Sequence, residues 1–342
     1  MPSHIRDKIE LFLRTFQQDV VKQLEALDPD APKFQREVES VPNRMDTTTF
    51  LSQRTGKEPA TSDIPFAPIE RAFLALSFVK LQMPPSMAAN GGPALTKSNI
   101  TFPPPGAPFY GAHLSVVIHP RSPHAPTLHC NWRYFEVLDS DDNVTDWWYG
   151  GTINLTPSYL YEEDCELFHK TLKDTASTYG KDTYGPMKEW CDKYFYNPFR
   201  KEARGTGGIF FDGLSDKPHE KFDIQGGSTE RPKTAETCLD FFRSTGKVVH
   251  SAYIPILQRR AHLPWTEEER HWQLVRRGRF VEFVLLVDEG IRRNLQAGGD
   301  TLESMLLVLP ETAQWTYMAS DMPQTERESK LISVLQEPRK WA

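Results

Sequence analysis

The chain has 342 residues, 39% of them hydrophobic, enough to bury one substantial core in one or two domains. A net charge of -6, with no Lys/Arg block or basic stripe interleaved with aromatics, argues against a phosphate-tracking surface and so against nucleic acid as a partner. No apolar run approaches the roughly 20 residues of a membrane span, and Met1 to Asp28 reads as an amphipathic helix rather than a signal peptide, so a soluble, cytoplasmic protein is expected.

Cys130, Cys165, Cys191 and Cys238 lie far apart with no CxxC pair, which predicts buried thiols in a reducing compartment rather than a zinc knuckle or disulfide framework. In chain order, Ile9, Leu11, Leu13, Phe16, Val20, Val21, Leu24 and Leu27 mostly keep helical spacing over 5–27. Residues 29–68 and the proline-rich 82–109 read as irregular surface segments around a short helix near 68–81. Apolar and polar residues then alternate over 111–119, 127–137 and 145–151, which predicts three antiparallel strands. A helix is expected from Thr156 as N-cap, with Tyr161, Cys165, Phe168 and Leu172 on one stripe, ending near Gly180. A second covers about 184–196.

Gly205, Gly207 and Gly208 lead into the strand Ile209 to Phe211. They precede a strand rather than follow one, so they are no dinucleotide fingerprint. A polar loop over 214–232 is followed by helices over about 233–261 and 266–277, the latter opened by Thr266 and three glutamates. A strand from Phe280 to Val287 and a helix near 300–309 complete the reading. Strands mixed with helices without strict βαβ alternation indicate α+β.

Residues two apart in a strand share a face. His113, Ser115, Val117 and His119 therefore lie on one side of the first strand, and His129, Asn131 and Arg133 on one side of the second, with Leu128, Cys130, Trp132 and Tyr134 opposite. If the Pro120 to Pro126 loop closes a hairpin, the two polar faces lie side by side. They then offer imidazoles for proton transfer, hydrogen-bonding groups and a guanidinium for a carboxylate, an anionic-substrate site or else a solvated outer face. His119, His129 and His169 are candidates for a divalent metal or for proton handling, though their spacing is not a compact metal motif.

The run His119 to Val137, His-Pro-Arg-Ser-Pro-His-Ala-Pro-Thr-Leu-His-Cys-Asn-Trp-Arg-Tyr-Phe-Glu-Val, resembles the central signature of the oxygen-dependent coproporphyrinogen III oxidase family. Trp147 to Gly151, Leu155 to Leu160, Phe168 to Lys173, Arg204 to Asp212, Arg276 to Phe283 and Pro338 to Trp341 continue it. The resemblance implies a single domain over 1–342, with a divergent part over 1–107 and the family core over 108–342. It implies a large antiparallel sheet flanked by helices on both sides, a homodimer, and oxidative decarboxylation of propionate arms to vinyl groups. Dioxygen is then the co-substrate, no organic cofactor is needed, and the partner is a small molecule. Carried over by position, His129 matches the proton donor; Ser115, Asn131, Trp132 and Arg133 match substrate-binding positions; and His119 and His169 match histidines tied to a divalent metal in some members.

The chain departs from the pattern at four places. Asn154 stands for an aspartate that holds or deprotonates the pyrrole nitrogens, so a catalytic role for it reduces to hydrogen bonding. Phe199 stands for a histidine. Gly298, Gly299 and Asp300 replace a Gly-Gly-Arg segment at a substrate-binding position, and two upstream segments have no counterpart between Met45 and Pro108. The reading is an oxidase of a carboxylate-bearing, electron-rich heteroaromatic, with coproporphyrinogen III the default. A smaller substrate such as an indole carboxylate, with or without a metal, and a non-catalytic tetrapyrrole-binding regulator are the alternatives.

Overall fold

A seven-stranded antiparallel sheet organises the chain, in a computed structural model that describes residues 2–41, 44–52, 67–83, 85, 104–223, 230–296, 306–317 and 324–342. Its strands are β1 (Gln35–Val41), β2 (Arg44–Ser52), β3 (Ile69–Gln82), β4 (Pro108–Pro120), β5 (Thr127–Leu138), β6 (Val144–Thr156) and β9 (Gly207–Leu214), side by side in that order. A separate ribbon pairs β7 (Tyr196–Asn197) with β8 (Glu202–Ala203). The expected meander is β4 to β6, and in β5 buried and half-buried residues alternate almost throughout, as a strand with two unlike faces requires.

Two expectations about the first hundred residues change. The short helix near 68–81 is strand β3, where Phe73 faces one side and Ala72, Leu74 and Leu76 the other, all buried. Burial on both faces removes the alternation that marks a strand, and an apolar run of this kind is not separable from a helix by period. Part of the segment expected to be irregular over 29–68 forms β1 and β2, whose polar, β-branched residues suit a ribbon at the sheet edge. Most of 82–109 lies outside the described residues.

One sheet face carries Leu114, Val116, Leu128, Cys130, Trp132, Ile153, Ile209 and Phe211. Ile9, Leu13, Phe16 and Val20 of α1 (Pro2–Ala26) and Phe241 and Phe242 of α4 (Ala235–Val248) bury it. Trp132 is wholly buried there, its indole N–H donating to Thr245 Oγ1 at 3.0 Å and its ring meeting Phe16 edge-on at 4.8 Å. Trp132→Ala is therefore expected to lower the unfolding free energy by about 3–5 kcal/mol in denaturant titration, since it opens a cavity and removes a buried hydrogen bond.

Helix α2 (Glu162–Ser177) begins five residues later than expected, because β6 keeps pairing through Thr156, opposite Thr127. Helix α3 (Tyr184–Tyr194) falls where expected. Helix α4, a π turn at Val249–Tyr253 and α5 (Ile254–Arg260) form the expected long helical stretch. Helix α6 (Glu267–Glu282) opens on the Thr266 capping box, and the expected strand at 280–287 is instead its last turn and a π turn at Phe283–Val287. Phe280, Phe283 and Val284 recur at three and four residues, a helical spacing, and all three pack against the sheet or its neighbours. Helix α7 (Glu289–Gln296) follows. Of the helix expected near 300–309, residues 300–305 lie outside the described set and 306–309 make a single turn. Helix α8 (Glu326–Gln336) was not anticipated, although Thr325 and Glu328 spell its capping box. Helices thus cover both faces of the sheet, and among the described residues none is long and apolar enough to cross a membrane.

Candidate active site

The second sheet face collects polar groups in ordered rows. Opposite one another across β3, β4, β5 and β6 lie Ala75, Ser115, Asn131 and Thr152 in one row, and Phe73, Val117, His129 and Asn154 in the next. A third row runs Ser77, His113, Arg133 and Gly150. The hairpin closes as expected, so His113, Ser115, His129, Asn131 and Arg133 share one face. Each is only partly exposed.

Arg133 approaches Asp212 of β9, its Nη2 3.6 Å from the fully buried Oδ1. Gly150 makes this possible: a Cβ there would stand 2.1 Å from Asp212 Oδ1 and 3.2 Å from Arg133 Nη2. Arg133 Nε and Nη2 and Asn131 Oδ1 are shielded from solvent yet form no hydrogen bond within the chain. Such groups cost about 1–3 kcal/mol each unless a ligand satisfies them. Donors and an acceptor on adjacent strands suit a carboxylate beside an N–H or O–H donor.

His129 sits between Phe195, edge-on at 5.9 Å, and a pair of polar groups. Arg204 Nη2 donates to its Nδ1 at 3.0 Å, and Asn154 Nδ2 approaches the same nitrogen at 3.4 Å. Desolvation, then the Arg204 guanidinium, hold its pKa well below that of a free imidazole. Arg204 is 4% exposed, its guanidinium 4.0, 4.8 and 5.2 Å from the ring centres of Phe195, Phe280 and Phe283. Burial lowers its pKa to about 10, so it remains a cation at neutral pH. Among the described residues no carboxylate pairs with it directly. Sequence reasoning did not single out Arg204 or Asp212 as site residues, and only their place in the glycine-rich Arg204 to Asp212 run signalled them.

The other expected site residues separate from this group. Trp132 belongs to the core on the opposite face, as strand alternation required, and so does not line the cleft. Gly298, Gly299 and Asp300 lie outside the described residues. The metal set does not assemble: His169 lies on α2, with Nε2 3.1 Å from Thr206 O and Nδ1 2.8 Å from Tyr184 Oη. His119 likewise has Nε2 3.0 Å from Val308 O and Nδ1 3.1 Å from Thr127 Oγ1. A carbonyl can only accept, so Nε2 carries the proton in both rings and the hydroxyl takes the remaining lone pair. Neither ring has a nitrogen free for a metal, and among the described residues no three His, Cys, Asp or Glu side chains gather as a metal would need. Phe199, in place of a histidine, is 74% exposed.

Residues 8–341 match the family model described as coproporphyrinogen III oxidase. The chain belongs to the coproporphyrinogen III oxidase family. It is 43% identical over 234 residues to the human protein named oxygen-dependent coproporphyrinogen-III oxidase, mitochondrial, a match covering 68% of this chain and 48% of that one. Against the Drosophila melanogaster oxygen-dependent coproporphyrinogen-III oxidase, identity is 34% over 342 residues, covering 99% of this chain and 78% of the relative. For coproporphyrinogen-III oxidase 1, chloroplastic, of Arabidopsis thaliana the figures are 35% over 345 residues, 99% and 80%. The matched region spans about half the length of the mammalian relatives.

Proposed function

We propose that the protein is an oxygen-dependent oxidoreductase that oxidatively decarboxylates coproporphyrinogen III on the polar face of the sheet. The observation that carries this is the group of unsatisfied polar atoms, Asn131 Oδ1 with Arg133 Nε and Nη2, on the face that also holds His129. A propionate carboxylate is an anion that a guanidinium in such a place can bind through two parallel hydrogen bonds. The names of the relatives supply the same substrate and the same oxidant.

For each arm the balance is R–CH2–CH2–COO⁻ + O2 + H⁺ → R–CH=CH2 + CO2 + H2O2. Two electrons leave the propionate side chain through the electron-rich ring and reduce dioxygen, so no organic cofactor is required. On this reading Ser115, Asn131 and Arg133 seat the carboxylate and His129 presents a polar N–H. Asn154, whose amide cannot take a pyrrole proton, orients groups by hydrogen bonding alone. The cover of Phe195, Phe280 and Phe283 restricts water at that end of the face. The chain acts as a single domain, as a homodimer, and in the cytoplasm. Sedimentation tests the dimer, with twice the chain mass of 39.2 kDa expected.

The test is anaerobic incubation of the purified protein with coproporphyrinogen III, admission of air, and mass spectrometry of the products. Successive losses of one and two formic-acid equivalents are expected. Unchanged substrate would retire this substrate and turn attention to smaller carboxylated heteroaromatics or to a non-catalytic role. With activity in hand, Gly150→Ala is expected to displace Asp212 from Arg133 and lower kcat/KM about tenfold or more, mainly through KM, in steady-state kinetics.

A further inference from the structure

The arrangement around His129 fixes more than its position. Nδ1 receives N–H groups from two sides, Arg204 Nη2 at 3.0 Å and Asn154 Nδ2 at 3.4 Å. An arginine only donates, so Nδ1 must turn a lone pair toward it.

The direction of the Asn154 amide is set independently, from both ends. Its Oδ1 accepts from Arg204 Nη2 at 2.5 Å, and its Nδ2 donates to Thr152 Oγ1 at 3.2 Å. That hydroxyl has already spent its proton on Ile209 O, 2.8 Å away, and is left to accept. The amide nitrogen, not the oxygen, therefore lies on the His129 side. Arg204 is held in turn. It is buried among three aromatic rings, and the following residue, Gly205, runs so close under β6 that a Cβ would stand 2.2 Å from Leu155 O.

We propose that Asn154 and Arg204 are positioning residues that lock His129 into its Nε2–H tautomer, making it a hydrogen-bond donor to the bound molecule rather than a base. Asparagine is essential to the device. An aspartate at 154 would draw the Arg204 N–H groups onto its own carboxylate and offer Nδ1 an oxygen in place of an N–H, so that two lone pairs would face each other unless Nδ1 gained a proton. Asn154→Asp thus converts the ring from donor through Nε2 alone to one that carries a proton on Nδ1. A neutral imidazole donor stabilises negative charge that develops next to it without first having to be protonated. This last consequence rests on the oxidase reading; the tautomer itself does not.

The experiment is long-range 1H–15N correlation on protein labelled with 15N-histidine at neutral pH, with the His129 signals assigned by their loss in His129→Gln. In the wild-type protein the expected result is an unprotonated Nδ1 and a protonated Nε2. In Asn154→Asp the Nδ1 signal is expected to move to the protonated range, and in Asn154→Gln, which keeps an amide, to stay unprotonated. A protonated Nδ1 in the wild-type spectrum overturns the proposal even if no variant folds, and so does an Nδ1 signal unmoved in a folded Asn154→Asp protein. If the tautomer is as expected but coproporphyrinogen III is left unchanged, the oxidase reading fails and this inference stands.

Discussion

Arg133→Ala is expected to lower kcat/KM for coproporphyrinogen III by some thirty-fold to a few thousand-fold, the equivalent of about 2–5 kcal/mol for truncating one partner of a buried charge pair. The size follows from what the change leaves behind. Asp212 is fully buried, and without the guanidinium at 3.6 Å its negative charge faces the substrate carboxylate directly. The site then turns from attracting an anion to repelling it. Arg133→Lys keeps a charge but loses the planar fork, so only part of the activity should return. Steady-state kinetics on both variants, with thermal melting to confirm folding, reads the effect; an Arg133→Ala enzyme within threefold of wild type would place carboxylate binding elsewhere.

The second large effect is on stability in acid. His119 and His169 are buried at 1% and 0% exposure, and burial, helped by the nearby cations Arg277 and Lys188 respectively, holds each pKa at about 3. In the unfolded chain each ring binds its proton near pH 6.5. From these two rings alone unfolding takes up two protons between that value and about pH 3, and His129, also held well below a free imidazole by burial and Arg204, adds to the uptake. The stability that comes from keeping both rings neutral is complete above pH 6.5 and is lost as pH falls, at about 1.4 kcal/mol per pH unit for each ring and about 2.8 for the two. Glu70, held at about 2 by Arg277 and Arg270 against its burial, adds a further loss only below its ordinary value of 4.5. Denaturant titrations at pH 6 and pH 5 measure the slope. His169→Gln should take about 1.4 kcal/mol per pH unit off the slope, whereas a stability unchanged over that interval would mean that the two rings do not stay neutral in the fold.

How much of this was legible in the sequence depended on whether one face of an element differed from the other. Strands β4 to β6 could be read because a core face alternates with a polar cleft face, and the same alternation placed His113, Ser115, His129, Asn131 and Arg133 together. Strand β3 could not, since Phe73 and Leu74 are buried on opposite sides and leave no period to find. The apolar run over 280–287 suggests a strand, although Phe280, Phe283 and Val284 repeat at helical intervals. Trp132 shows two signals in conflict: its place in a contiguous motif put it in the site, its parity on β5 put it in the core, and parity was right. Arg204 was least accessible. It meets His129 across 75 residues of sequence, through the close passage of Gly205 to Gly208 beneath β6, and only the folded chain brings the two together.

A crystal structure of the protein with coproporphyrinogen III, grown without oxygen, tests most directly the claim that this sheet face is where the substrate is held and oxidised. The account predicts a propionate carboxylate within hydrogen-bonding distance of Arg133, next to Asn131 and Ser115, with His129 Nε2 facing the bound molecule. A porphyrinogen bound elsewhere, or one lying on this face with no carboxylate at Arg133, would contradict it.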